Sequence, residues 1–280
     1  MTAILDSTRA ELLRLRRWPA VWITIGAWTA LALTFGYVFD YVSYATGTES
    51  FATAGAARDA LLTGLLPQAV PDVLVQGMPL FGGALAMVLG ALVAGNGFAW
   101  GTWKTALTQG PGRLATVGGS LTALTIFVVV IVAATLTLFT AVSTGIALAE
   151  GESITWPTAT DLARATGGGL LVLQMWALLG YTIAILARGP ALAVGLGLVW
   201  ALVVENLLRG VGSLLGAVEQ LTLFLPGTAA GSLVGSLVDA GGTPGVLDVV
   251  PGDRAALTVA AYVVGLTALV LTVMRRRDLA

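Results

Sequence analysis

Few residues in this 280-residue chain could carry out chemistry, and none of them forms a recognised catalytic pattern. The sequence contains no histidine and no cysteine, so it lacks the commonest general base and the commonest zinc ligands. Its single lysine, Lys104, follows Trp103, and the sequence therefore has no G-x-x-x-x-G-K-[ST] phosphate loop. We expect no catalytic residue, no metal site and no bound cofactor in this chain.

Side chains that could couple transport to an ion gradient are equally scarce. A proton- or sodium-driven carrier usually has carboxylates or broken helices near the membrane midplane. Gln174 is the only strongly polar side chain in the middle of a long apolar run of this sequence. It could form a hydrogen bond between helices or line a substrate path, and the sequence leaves both interpretations open.

The elements that must position these residues are long apolar segments. Of all residues 57% are hydrophobic and 10% are charged, with a mean hydropathy of +0.91, whereas soluble domains have about 25% charged residues. A membrane-spanning helix needs ~20 mostly apolar residues. We therefore predict an all-α, polytopic membrane protein with a single transmembrane domain over residues 1–280, in contact with the lipid bilayer and not with nucleic acid. The predicted spans are about 18–39, 74–99, 121–149, 167–187, 190–204 and 255–274.

The charges between the spans predict the orientation. With six spans and both termini on one side, one face has ten basic and three acidic residues, and the other has four basic and twelve acidic residues. The ten basic residues are Arg9, Arg14, Arg16, Arg17, Lys104, Arg113, Arg188, Arg275, Arg276 and Arg277. Because basic residues beside spans stay on the cytoplasmic side, we predict that both termini are cytoplasmic.

Small residues recur every four positions in two of the predicted spans, at Gly82, Ala86, Gly90 and Ala94 and at Ala193, Gly197 and Ala201. Such rows let helix backbones approach closely. Packing within the chain is the favoured interpretation, and a dimer face is the alternative.

Residues 1–17 predict an amphipathic cytoplasmic helix. At 100° per residue the side chains of Ile4, Leu5, Thr8, Leu12 and Leu15 cluster on one side, and those of Arg9, Arg14, Arg16 and Arg17 spread around the other. Glu11 and Leu13 break this pattern. The helix could lie in the interface with its arginines near anionic headgroups, or the segment could be a basic flank that only sets the orientation.

The segment 205–254 is external in this topology and is mostly apolar, but glycines and prolines interrupt it. Its apolar pieces, Leu207–Val218 and Ala229–Val238, are too short to cross a membrane. Irregular backbone at membrane depth persists only where protein or water covers it. We predict two short re-entrant helices that dip into the outer leaflet before the last span.

The loop at residues 100–117 is the only substantial cytoplasmic loop inside the chain. It predicts a short helix from about Thr102 to Thr108, which Gly110 and Pro111 stop. Trp100 and Trp103 could belong to an interfacial tryptophan belt or to a contact surface for another protein.

The layout resembles the permease subunits of type-2 ABC exporters of actinobacteria and other bacteria. The shared features are an amphipathic N-terminal helix, six spans with internal termini, a loop helix after the second span, and two re-entrant helices before the last. The run from Gly101 to Gln109, followed by Pro111 and Arg113, is similar to the family's loop pattern, and Leu225-Pro226-Gly227-Thr228-Ala229 is similar to its re-entrant turn. In many relatives an acidic residue precedes the loop, where this chain has residues 96–99 as Asn-Gly-Phe-Ala.

The resemblance implies a mechanism and a set of partners. Two permease subunits, identical or different, would pair in a bacterial cell membrane, and two copies of a cytoplasmic ATPase, which hold ATP and Mg, would dock beneath them. The implied ATPase-coupling residues are Trp100, Thr102, Trp103, Lys104, Thr105, Leu107 and Arg113. Arg9, Arg14, Arg16 and Arg17 of the N-terminal helix would lie beside them. Pro226 and Gly227 would form the re-entrant turn on the other side of the membrane. An amphipathic or hydrophobic substrate is expected, because the spans have no buried charge. The alternatives are a homo-oligomeric channel and a membrane scaffold, neither of them driven by ATP.

Overall fold

The computed structural model describes residues 2–48, 53, 55–212, 215–238 and 243–276, and within these residues every regular element is a helix. Six helices are long and apolar enough to cross a membrane, so the prediction of an all-helical, multi-pass membrane protein is confirmed. Arg277, one of the ten basic residues above, lies outside the described residues. The six helices are span 1 (Pro19–Thr46), span 2 (Met78–Ala99), span 3 (Arg113–Glu150), span 4 (Ala159–Ala187), span 5 (Pro190–Gly212) and span 6 (Gly252–Arg276).

In the described part of the chain, six shorter α-helices and one 3-10 turn, Pro67–Ala69, connect or precede the spans. Two of them recur below: the N-terminal helix (Thr2–Arg17) and the loop helix (Thr102–Gln109). A third, which we name the buried short helix, is Pro226–Gly235. The others are Arg58–Leu65, Val70–Gln76 and Gly216–Thr222.

Several helix boundaries differ from those of the predicted spans, because a helix need not end where its apolar run ends. Span 3 begins at Arg113 rather than near residue 121, and the loop predicted for residues 100–117 is correspondingly shorter. At 1.5 Å per residue, the 38 residues of span 3 measure about 57 Å, well beyond the ~30 Å hydrocarbon core. Span 2 begins at Met78, after a separate helix that contains the predicted first residues 74–76.

The largest correction concerns span 5. It was predicted to end at residue 204 and to be followed by an external segment, but the helix continues through Glu205 to Gly212. The predicted apolar piece Leu207–Val218 is therefore not one helix: its first part belongs to span 5, and another helix begins at Gly216. Residues 213 and 214 lie outside the described part of the chain.

Spans 2 and 4 form the centre of the bundle, and their backbones meet at two glycines. A methyl group on Gly90 would overlap the carbonyl oxygen of Ala177, and one on Gly180 would overlap the carbonyl oxygen of Met87. In span 5, Gly197 lies against the side chain of Met87. These small residues therefore pack within the chain, as the favoured interpretation of the two rows predicts.

The two ends of the bundle differ in charge and in contacts. At one end, here called the basic end, the ring of Trp18 lies 5.5 Å from that of Trp100, and Arg113 donates to the carbonyl of Arg275 at 3.4 Å. At the opposite, acidic end the hydroxyl groups of Tyr41 and Tyr44 donate to the two oxygens of Glu150, at 2.9 and 3.1 Å. At each end of the bundle, contacts therefore join different spans to one another.

Three of the spans contain a π-helical segment. These segments lie at 34–38 in span 1, at 78–82 in span 2 and at 200–204 in span 5. A π turn contains one more residue than an α turn and often occurs at functional sites. In spans 1 and 2 the segment lies in the half of the span nearer the acidic end.

Candidate functional site

The loop helix is fixed to span 2 by a buried tryptophan. Gly101 has φ = +66°, a left-handed conformation that reverses the chain after span 2. Trp103 then lies back on the end of span 2, where its Nε1 donates to the carbonyl of Ala94 at 2.9 Å and only 7% of the residue is exposed. Gly97 makes room for the indole ring, because a methyl group there would collide with it. Thr102 adds a bond from its hydroxyl to the carbonyl of Gly97, at 3.3 Å.

Trp103 therefore differs from both expectations for it. A side chain this buried lies neither in an interfacial belt nor on a contact surface, and its role is to position the loop helix. Trp100 does match the expectation of an exposed aromatic residue, with 56% of its surface accessible. The rigid attachment leaves the opposite side of the loop helix free for contact.

The exposed side of the loop helix carries the other predicted residues. Lys104 and Thr105 are exposed, and Leu107 is half-buried. Arg113 is half-buried as the first residue of span 3 and is bonded to the end of span 6. The structure thus places the predicted set on one short stretch of the basic end, with Lys104 as its most prominent charge.

The N-terminal helix packs on span 3 beside the loop helix. Leu15 is fully buried and Thr8 nearly so. At Gly119 of span 3 the two backbones approach so closely that an added methyl group would lie 2.8 Å from the amide nitrogen of Thr8. Ile4 and Leu5, which share the predicted apolar side, are exposed instead. The helix is therefore docked on the bundle along part of its predicted apolar face.

One predicted arginine points inward. Arg9, Arg16 and Arg17 are exposed, but the side chain of Arg14 is only 23% exposed. Its Nη2 forms a short ion pair with Glu11 and donates to the carbonyl of Val93 in span 2, at 3.0 Å. The prediction that Arg14 lies on the polar outer side with the other arginines was wrong, because the carbonyl and the carboxylate together attract it.

Glu11 is a site residue that the sequence interpretation missed. Besides its ion pair with Arg14, it accepts a hydrogen bond from the hydroxyl of Ser120 in span 3, at 3.3 Å. The available signal was that Glu11 breaks the apolar pattern of the N-terminal helix. The ion pair is partly buried, with the side chains of Arg14 and Glu11 23% and 18% exposed. Here it joins the N-terminal helix to spans 2 and 3.

A cavity of about 470 Å³ lies between the N-terminal helix, the loop helix and the ends of spans 2 and 3. Its lining includes Glu11 and Arg14 on one side and Trp103 and Ala106 on the other. The cavity and the exposed residues around it form a concave basic end. Such a surface can receive a side chain or a helix of another protein.

The remaining predicted residues lie elsewhere in the fold. Gln174 is half-buried in span 4, and its side-chain oxygen is buried without a hydrogen-bond partner in the described part of the chain. Pro226 begins the buried short helix, and the amide of Gly227 is bonded to Glu205. These three residues do not join the group at the basic end.

Among the described residues no group of three carboxylate, histidine or cysteine side chains could hold a metal ion. In comparisons with known proteins, no family model matches the chain, and no curated protein matches it.

Proposed function

We propose that this chain is the membrane-spanning permease subunit of an ATP-binding-cassette exporter. Two such subunits pair in a bacterial cell membrane, and each contacts an ATPase subunit through its basic end, which faces the cytoplasm. ATP hydrolysis on the ATPase moves the spans and expels an amphipathic or hydrophobic substrate. This chain itself holds neither ATP nor Mg.

The single observation that carries the proposal is the attachment of the loop helix. Trp103 joins that helix to span 2, which packs backbone to backbone on span 4 at Gly90. A force applied to the exposed Lys104 side of the loop helix therefore reaches the centre of the bundle through rigid contacts. Close-packed interiors transmit displacement instead of absorbing it.

The sequence supports a motor outside the chain. It contains no phosphate loop and no charged residue near the middle of a predicted span. The driving energy of active transport would then come from a partner at the cytoplasmic face. The concave surface at the basic end supports this proposal.

The finer features of the fold belong to the same proposal. The N-terminal helix lies along the cytoplasmic interface, where its exposed Arg9, Arg16 and Arg17 meet anionic headgroups. The helices Gly216–Thr222 and Pro226–Gly235 enter the outer leaflet without crossing it. In support of this, the side chains of Leu221 and Phe224 are about two-thirds exposed. Exposed apolar side chains of this kind are typical of a surface that contacts lipid.

The test uses the chain purified together with the P-loop ATPase that affinity isolation in mild detergent recovers with it; recovery of no such ATPase would itself contradict the proposal. We expect Lys104→Glu to reduce both ATPase recovery and the stimulation of its activity, because the substitution reverses the most exposed charge of the loop helix. Arg276→Glu, an equal charge reversal on an exposed residue of the same end, should leave both unchanged.

Two further results would contradict the proposal. One is a Lys104→Glu variant that binds and stimulates the ATPase as well as the Arg276→Glu variant does. The other is a steady conductance of the chain alone in lipid bilayers without nucleotide, which would favour a homo-oligomeric channel.

A further inference from the structure

Glu205 is the one charged residue that is fully buried in the described part of the chain, with no exposed surface. It lies in span 5, close to the acidic end. Removing a carboxylate from water is costly unless hydrogen bonds replace its hydration. A buried ionisable residue in a membrane-spanning helix is a functional candidate for that reason.

The π-helical segment of span 5 supplies the first partner. Trp200 begins the segment and Glu205 follows it, so that the amide of Glu205 bonds to the carbonyl of Trp200, five residues earlier. The same spacing lets the indole Nε1 of Trp200 donate to Oε1 of Glu205 at 3.0 Å. The two residues are thus joined by backbone and side chain together.

The buried short helix supplies the second partner. The amide of Gly227, in the first turn of that helix, donates to Oε2 of Glu205 at 2.8 Å. A methyl group at position 227 would overlap this oxygen unless the Glu205 side chain moved away and gave up the bond. A carboxylate near a helix N-terminus also interacts favourably with the helix dipole.

Only a carboxylate can serve both donors. Each oxygen of Glu205 accepts one N–H group, from Trp200 and from Gly227. A glutamine offers one acceptor oxygen, and its amide group would face the remaining N–H as a second donor. The two oxygens of Glu205 are therefore matched to the two donors that meet there.

The buried short helix is otherwise held by different elements. It packs on span 6, on span 4 and on the first turn of span 2. The chain that follows it folds back across it, and the amide of Leu247 donates to the carbonyl of Gly231 at 3.1 Å. The contact with Glu205 thus connects span 5 to a helix inside the acidic end.

We propose that Trp200, Glu205 and Gly227 form a joint through which span 5 holds the buried short helix, so that these two elements move together at the acidic end. The joint makes Glu205 a positioning residue for the outer end of the bundle. This inference does not depend on an ATPase, and its test contains none.

The test is hydrogen–deuterium exchange of the full chain in lipid nanodiscs. Trp200→Phe removes one donor from Glu205 without touching the buried short helix. If the joint couples the two elements, amides of residues 227–235 should exchange about tenfold faster, as expected when one buried hydrogen bond to a carboxyl group is lost. The matched control is Trp22→Phe, which likewise removes an indole bond, from Trp22 to the carbonyl of Arg16 at 2.8 Å.

A second variant tests the carboxylate itself. Glu205→Gln should accelerate exchange in the same segment at least as much as Trp200→Phe, because it leaves one of the two donors without an acceptor. Should this variant fail to fold, Trp200→Phe decides alone. Unchanged exchange at 227–235 in Trp200→Phe overturns the proposal, and so does an equal acceleration throughout spans 2 and 4, which would indicate general support of the bundle.

Discussion

The crossing of spans 2 and 4 gives the sharpest prediction for stability. Replacing Gly90 by alanine places a methyl group 2.8 Å from the carbonyl carbon of Ala177 and 3.0 Å from the amide nitrogen of Tyr181. The carbonyl oxygen of Ala177 would lie closer still, at 1.9 Å. Because ordinary contact begins at 3.4 Å, this oxygen would have to retreat by about 1.5 Å. All of these atoms belong to helix backbones, which cannot rotate away as a flexible side chain could.

The expected cost follows from these distances. Overpacking of a well-packed interior costs about 1–3 kcal/mol, and alanine in a helix recovers about 1 kcal/mol relative to glycine. Gly145→Ala provides the matched control, because Gly145 lies in span 3 with no atom within 4 Å of an added methyl group. The two variants share the gain in helix propensity, and the difference between them measures the steric clash.

The assay is thermal unfolding in detergent, followed by tryptophan fluorescence. At about 2–4 °C per kcal/mol for a chain of similar size, Gly90→Ala should unfold about 2–12 °C below Gly145→Ala. Gly180→Ala should behave like Gly90→Ala, because Gly180 meets the backbone of Met87 at the same crossing. Their double variant should cost less than the two single losses added together, since the first methyl group already separates the helices.

An equal unfolding temperature for Gly90→Ala and Gly145→Ala would refute this reasoning. It would mean that spans 2 and 4 do not approach each other at the distance described. The path from the loop helix to the bundle centre, on which the proposed function rests, would then lose its rigid segment.

Two further predictions concern the ends of the bundle. Gly119→Ala should loosen the N-terminal helix and speed tryptic cleavage after Arg16 at least several-fold, because an added methyl group there would collide with that helix. Equal cleavage in Gly118→Ala, whose added methyl group meets nothing within 4 Å, would contradict the contact. Glu150→Ala should speed amide hydrogen exchange around Tyr44, at the end of span 1, by about tenfold, because the hydroxyls of Tyr41 and Tyr44 lose their acceptor. An exchange rate equal to that of the unaltered chain would show that this contact does not stabilise the end of span 1.

The sequence predicts the number, order and approximate position of the spans, because apolar runs of sufficient length have few alternative structures. It does not predict where Trp103 lies. That side chain is buried only because Gly97, six residues earlier on another helix, leaves space for it, and space of this kind depends on the three-dimensional turn at Gly101. The inward position of Arg14 likewise depends on a carbonyl of span 2, which is distant in sequence.

Glu205 shows a different limit of sequence interpretation. The end of span 5 was predicted at the last apolar residue, and a carboxylate was assigned to the loop by its charge alone. A buried carboxylate needs donors, and these come from Trp200, five residues earlier, and from Gly227 in the following Pro-Gly turn. A tryptophan five residues before a glutamate indicates a hydrogen bond between them only if the intervening helix is known to be a π-helix. Hydropathy does not reveal the pitch of a helix, so the sequence offers no reason to expect this bond.

The three π-helical segments have a consequence for how the bundle can change shape. Each one is equivalent to an α-helix with a single inserted residue, and the insertion can migrate along the helix by exchanging one set of backbone bonds for the next. Every residue that the insertion passes turns by about 100° about the helix axis, while both ends of the helix keep their positions. Such a migration would let spans 1, 2 and 5 present different side chains to the interior without tilting, whereas spans 3, 4 and 6 are α-helical throughout their described lengths.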